Sequence, residues 1–123
     1  MHRATLVGLG AACGAVARLG TTSWSGDAGS WPWGTLLANL AGCAAIGCCA
    51  ARLERDSAVW AFLVPGTLGG LTTASAFAVE TRTLVVDRPL VAAGYVAASA
   101  GGGLVLAATA RRLGTRSRKV LTR

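Results

Sequence analysis

The chain has 123 residues, 53% apolar and only 14% charged, with seventeen glycines and a mean hydropathy of +0.54. A soluble surface needs roughly a quarter of its residues charged, and disordered or multidomain chains are more polar or longer, so the composition points to one compact unit in a membrane. Twelve Lys/Arg against five Asp/Glu give +7, but six of the twelve (Arg111, Arg112, Arg116, Arg118, Lys119, Arg123) form a tail rather than a face with aromatic or polar readers, so no nucleic-acid partner is expected.

A hydrocarbon core of about 30 Å takes about 20 residues of apolar helix. Four segments qualify, at about residues 4–22, 33–51, 58–81 and 89–110. The expected fold is therefore an all-α membrane protein of four transmembrane helices: a channel-like domain over 1–110 and a basic tail over 111–123. The first span carries Arg18 near its far end. A secretory leader is the alternative for it, since Met1-His2-Arg3, an apolar run and Ala15-Val16-Ala17 fit that pattern, yet three spans would still need a membrane. The second span is entered through Trp31-Pro32-Trp33, an aromatic belt with proline at a helix start, and the fourth also opens on a proline, Pro89. Polar connectors are expected over 23–32, 52–57 and 82–88.

Small residues recur at helical spacing: Gly10/Gly14, Gly42/Ala45/Gly47 and Gly94/Ala98/Gly102. In lipid no hydrophobic force joins helices, and small residues let backbones approach, so these positions read as packing. Cys13, Cys43, Cys48 and Cys49 lie in apolar stretches without paired ligand spacing, and the single histidine is His2. They read as small buried thiols rather than metal or redox centres.

With four spans both termini share a side. That side holds nine of the basic residues (Arg3, Arg52, Arg55 and the six of the tail), and the opposite loops hold Arg82 and Arg88. The positive-inside rule then places both termini in the cytoplasm of a multi-pass plasma-membrane protein.

Polar residues inside spans carry the functional signal, because each has to be satisfied or to line a wet path. Thr35 and Asn39 are four apart on one face of the second span, either joining helices or lining a pathway. The third span concentrates Pro65, Gly66, Gly69, Gly70, Thr72 and Thr73, which argues for a break near its middle. Freed carbonyls at that depth need protein, water or an ion, so the break is either a healed kink or an ion site. Tyr95, Ser99 and Gly103 recur every four residues along the fourth span. Glu80 is placed at the end of the third span, at the interface, with Arg18 near the same level. Donors therefore outnumber acids at depth, which suits an anion, whereas a proton-coupled cation exporter needs a carboxylate at midplane.

At these residues the sequence resembles the Fluc (CrcB) fluoride-channel family. The resemblance rests on Gly14-Ala15-Val16-Ala17-Arg18, on Gly34-Thr35-Leu36-Leu37-Ala38-Asn39-Leu40-Ala41-Gly42, and on Gly69-Gly70-Leu71-Thr72-Thr73 followed by Ser75, Phe77 and Glu80. It implies an antiparallel dimer of inverted subunits with two fluoride pores and one structural sodium ion, held by backbone carbonyls that correspond to Gly69 and Thr72. It also implies a pore asparagine at Asn39, a vestibule arginine at Arg18, a hydroxyl track drawing on Ser75, Tyr95 and Ser99, and a pore phenylalanine at Phe77; Thr35, on the face of Asn39, is read onto the same pathway from its spacing. Members usually read Thr-Thr-Phe-Ser-Thr-Phe where this chain has Thr72-Thr73-Ala74-Ser75-Ala76-Phe77, losing one aromatic and one hydroxyl. That loss and the charge bias lead to the expectation of a heterodimer with an oppositely biased homologue. Two other readings are a small four-span multidrug exporter, which requires a first-span glutamate where this chain has Arg18, and a non-conducting assembly subunit, favoured by Ala74 and Ala76. No nucleophile with a base, acid pair or phosphate loop points to an enzyme.

Overall fold

The computed structural model describes residues 2–22 and 31–121, with side chains over 2–21 and 31–117. Most of the connector expected at 23–32 lies outside those residues, as do the side chains of Arg118, Lys119 and Arg123. The elements in chain order are α1 (Arg3–Thr22), α2 (Trp33–Arg52), α3 (Ala58–Ala61), a π-helical stretch (Phe62–Leu68), α4 (Gly69–Leu71), α5 (Ala74–Asp87) and α6 (Pro89–Leu121). By length and composition four runs are apolar enough to cross a membrane: Arg3–Thr21, Trp33–Arg52, Ala58–Asp87 and Pro89–Ser117. The third of these contains α3, the π-helical stretch, α4 and α5.

The interruption of the third span follows from its sequence. Pro65 has no N–H to donate and its ring crowds the preceding turn, so the ladder loosens into π geometry. The Thr67 hydroxyl donates to the Phe62 carbonyl at 3.1 Å, an added bond within the loosened stretch. The helix then stops at Thr72 (φ −76°, ψ 147°) and Thr73 (φ −141°, ψ 119°), both extended. Thr73 restarts it as an N-cap, its Oγ1 accepting from the Ala76 N–H at 3.2 Å.

Two expected boundaries differ. The connector placed at 82–88 is mostly helix, because α5 continues to Asp87 and buries Leu84 against Leu36, Ala92 and Tyr95. Nor does the helix of the fourth span stop with it near 110; α6 runs unbroken to Leu121 and carries the basic tail as helix. Ser57 caps α3, as its Oγ accepts from the Trp60 N–H at 3.1 Å.

Glycines set the packing. A Cβ at Gly14 would fall on the Thr67 carbonyl, one at Gly10 on the Phe62 carbonyl, and one at Gly70 on the Ala11 carbonyl. The α1 backbone therefore lies directly on the π-helical stretch and α4. On the other side α2 runs along α6, with Gly47 against the Ala107 backbone and Gly103 against Cys43. Of the spacings singled out above, Gly10/Gly14 and Gly42/Gly47 are close contacts, whereas Gly94 meets only the Trp31 ring at 3.7 Å. Arg3 donates to the Arg55 carbonyl at 2.7 Å and pairs with Asp56 at 3.5 Å, so the start of α1 and the α2–α3 connector share one end of the bundle.

Candidate functional site

Asn39 is the hinge pin of the break. Its Oδ1 accepts from the Thr73 N–H at 2.9 Å and its Nδ2 donates to the Thr73 carbonyl at 3.2 Å, so the amide substitutes for a backbone partner at the residue where the third span is interrupted. Gly42, one turn on, has no room for a side chain because the Thr72 methyl sits where its Cβ would be. α2 thus presents an amide and then a gap to the interruption in the third span, which is why this stretch of α2 carries Asn and Gly among apolar neighbours.

Next to that clip an open groove of about 330 Å³ lies between α2, the break, α5 and α6, lined by Asn39, Cys43, Thr72, Ala74, Phe77 and Ser99 among others. No lining residue is acidic or basic. Asn39 has a second amide hydrogen beyond the one given to Thr73, and Ser99 Oγ is buried beside the Tyr95 hydroxyl without a well-formed hydrogen bond. A buried unpaired hydroxyl costs roughly 1–3 kcal/mol, so an acceptor entering the groove would recover it.

A second polar group pairs the half-buried Glu80 with two buried hydroxyls. Thr35 Oγ1 donates to Glu80 Oε1 and the Tyr95 hydroxyl donates to Glu80 Oε2, both at 2.6 Å. Tyr95 is 0% and Thr35 2% exposed. The second, third and fourth spans meet at this carboxyl group, and each of its oxygens accepts one short hydrogen bond. The Phe77 ring lies 5.3 Å from the Tyr95 ring and joins the cluster to the groove, while Trp31 closes its other side edge-on at 5.8 Å.

These contacts sort the sequence-derived residues. Asn39, Phe77, Ser99 and Thr72 come together at the groove; Thr35 and Tyr95 belong to the internal cluster. Ser75 is exposed, with its Oγ 3.2 Å from Thr73 Oγ1, and does not line the groove. Arg18 does not line it either. Gly69 is exposed and Thr72 closes α4. Glu80, expected at the interface, lies about 10 Å before the end of α5, with its side chain bonded to Thr35 and Tyr95 of two other spans. Its spacing from Phe77, one turn earlier, was the signal that tied it to the same face.

Four apolar spans, a third one broken at its middle, and an acid-free donor groove beside the break define a multi-pass, all-helical membrane protein with a polar site at depth. The comparisons make the class specific. The chain belongs to the CrcB family: the family described as "CrcB-like protein, Camphor Resistance (CrcB)" matches residues 5–111. The "Fluoride-specific ion channel FluC" of Variovorax paradoxus is 45% identical over 103 residues, covering 80% of this chain and 82% of that protein. Proteins of the same description are 38% identical over 112 residues in Chloroflexus aurantiacus (85% and 89% covered) and 44% identical over 107 residues in Bordetella petrii (83% of each).

Proposed function

We propose that this chain is a subunit of a fluoride-selective channel of the plasma membrane, passing fluoride out of the cytoplasm down its gradient and so limiting fluoride toxicity. The observation that carries the reading is the groove in which the Asn39 amide, the unpaired Ser99 hydroxyl and the Phe77 ring meet without a carboxylate. Fluoride is small and strongly hydrated, so a dry passage has to replace its water with N–H and O–H donors and positive ring edges. Cations find no acceptor charge there. The relatives' description as fluoride-specific ion channels supports the same ion and a non-enzymatic role.

The groove opens on the outside of the subunit, which is what a pore shared with a second, inverted subunit requires. Ala74 is exposed on it, where related chains usually carry an aromatic ring, and the basic residues are biased to one end. We read this as a heterodimer with an oppositely biased homologue that supplies the missing ring, both termini of this chain being cytoplasmic. Fluoride efflux from liposomes tests the reading: the chain alone is expected to be nearly silent and the pair with the homologue active. A conducting homodimer refutes the heterodimer, and chloride passing as fast as fluoride refutes the function.

The proposal extends to a structural sodium ion held by the Gly69 and Thr72 carbonyls. In a continuous helix these would accept from the Thr73 and Ala76 N–H groups, but those donate to Asn39 Oδ1 and Thr73 Oγ1 instead. Two carbonyl oxygens without helical donors suit a hard cation, and the equivalent pair of a second subunit would complete its oxygen set. Sodium at a hundred times its dissociation constant is expected to add about 2.7 kcal/mol to the stability of the dimer, read as a rise in unfolding midpoint over a large organic cation. A Cβ at Gly69 meets only the Val64 carbonyl at 3.8 Å. Gly69→Leu should thus leave the subunit folded yet remove the sodium response; a midpoint indifferent to sodium in the unaltered dimer rejects the ion site.

A further inference from the structure

Helix α6 is too long for its membrane. Its 33 residues span about 50 Å at 1.5 Å per residue, against a hydrocarbon core of about 30 Å that the 20 residues of α2 match. The two helices are held in register by Gly47 on the Ala107 backbone and by Gly114 against the Ala51 Cβ. Arg52, the last residue of α2, therefore marks the level at which α6 passes Gly114. Arg111 and Arg112 sit within a turn before that level and Arg116 about half a turn beyond it, with Arg112 and Arg116 four apart on one face.

All four arginines are exposed, and among the described residues none of them reaches a carboxylate. The described residues at this end set Arg3, Arg52, Arg55, Arg111, Arg112 and Arg116 against two acids, Glu54 and Asp56, and Asp56 is taken by Arg3. Leu113, beside Arg112 and just before Gly114, is exposed as well, giving an apolar side chain next to the cationic ones at headgroup depth. Guanidinium groups bind phosphate through paired N–H donors, and basic clusters beside a transmembrane helix end attract anionic lipids.

We infer that the overhanging end of α6, through Arg111, Arg112 and Arg116 with Arg52 beside them, is a docking surface for the phosphodiester headgroups of anionic phospholipids. The inference is independent of which ion the protein conducts. Each arginine near the surface contributes on the order of fivefold in association at low salt.

The test is the association of spin-labelled phosphatidylglycerol and phosphatidylcholine with the full-length protein reconstituted in vesicles. At about 20 mM salt phosphatidylglycerol should be preferred at least about fivefold. The Arg111→Gln/Arg112→Gln/Arg116→Gln variant should bring the ratio within about twofold of unity, as should about 0.5 M salt. The Arg82→Gln/Arg88→Gln variant, altered at the opposite end, should keep the preference. Equal association of the two lipids with the unaltered protein, a preference that survives the triple change, or one lost in the opposite-end variant each overturns the proposal. So does displacement by millimolar glycerol phosphate, which would make a free phosphate the occupant.

Discussion

Asn39→Asp is expected to abolish fluoride efflux from liposomes while the assembled protein remains detectable. The retained Oδ1 still accepts from the Thr73 N–H, so the break keeps one of its two clips. The other is lost: a carboxylate oxygen replaces the Nδ2 that donates to the Thr73 carbonyl at 3.2 Å, setting acceptor against acceptor. More important for transport, a fixed negative charge then borders the groove. At a separation of about 4 Å and an effective dielectric near 20, two like charges repel by about 4 kcal/mol, roughly a thousandfold in the occupancy of a passing anion. Efflux unchanged by the substitution would remove Asn39 from the pathway and leave it only the structural role its two hydrogen bonds display.

The second large effect is steric. Gly14→Val should cost about 3 kcal/mol or more and prevent recovery of folded protein, because its Cβ would fall on the Thr67 carbonyl with the Leu71 N–H only 2.8 Å away. The neighbour is backbone on both counts and is held by the π-helical stretch and α4, so it has little freedom to move aside. Gly8 is the matched control: nothing lies within 4 Å of a Cβ there, and Gly8→Ala is expected to be neutral or to stabilise by up to about 1 kcal/mol through helix propensity. Unfolding midpoints in detergent distinguish the two positions. Similar midpoints for both variants would mean that α1 is not seated on the broken span as described.

Much of this architecture is written in local sequence. Four apolar runs of membrane length, proline at the start of α6, and the Pro65 to Thr73 interruption each depend on residues within a few turns of one another, so hydropathy and backbone chemistry suffice to locate them. Sequence also put Asn39 and Thr35 on one face, because 3.6 residues per turn is a local rule. It could not say that the two face different partners. Asn39 reaches the Thr73 backbone, whereas Thr35 reaches Glu80, and both partners lie in another span.

Glu80 shows why the remainder was illegible. A carboxylate near the apparent end of a hydrophobic run reads as interfacial, since burying it alone would be prohibitive. What admits it to the interior is the pair of hydroxyls from Thr35 and Tyr95, forty-five and fifteen residues away in the chain. The length of α5 is hidden from the sequence for a related reason: Leu84 is buried by contacts with α2 and α6 that no window of sequence contains. Sequence by itself determined the number of spans, where the third one breaks and the scarcity of acids along them, all properties of neighbouring residues. Only tertiary structure decided which polar side chains form the groove and which saturate Glu80, because hydrogen bonds between spans depend on how the helices are rotated and seated against each other.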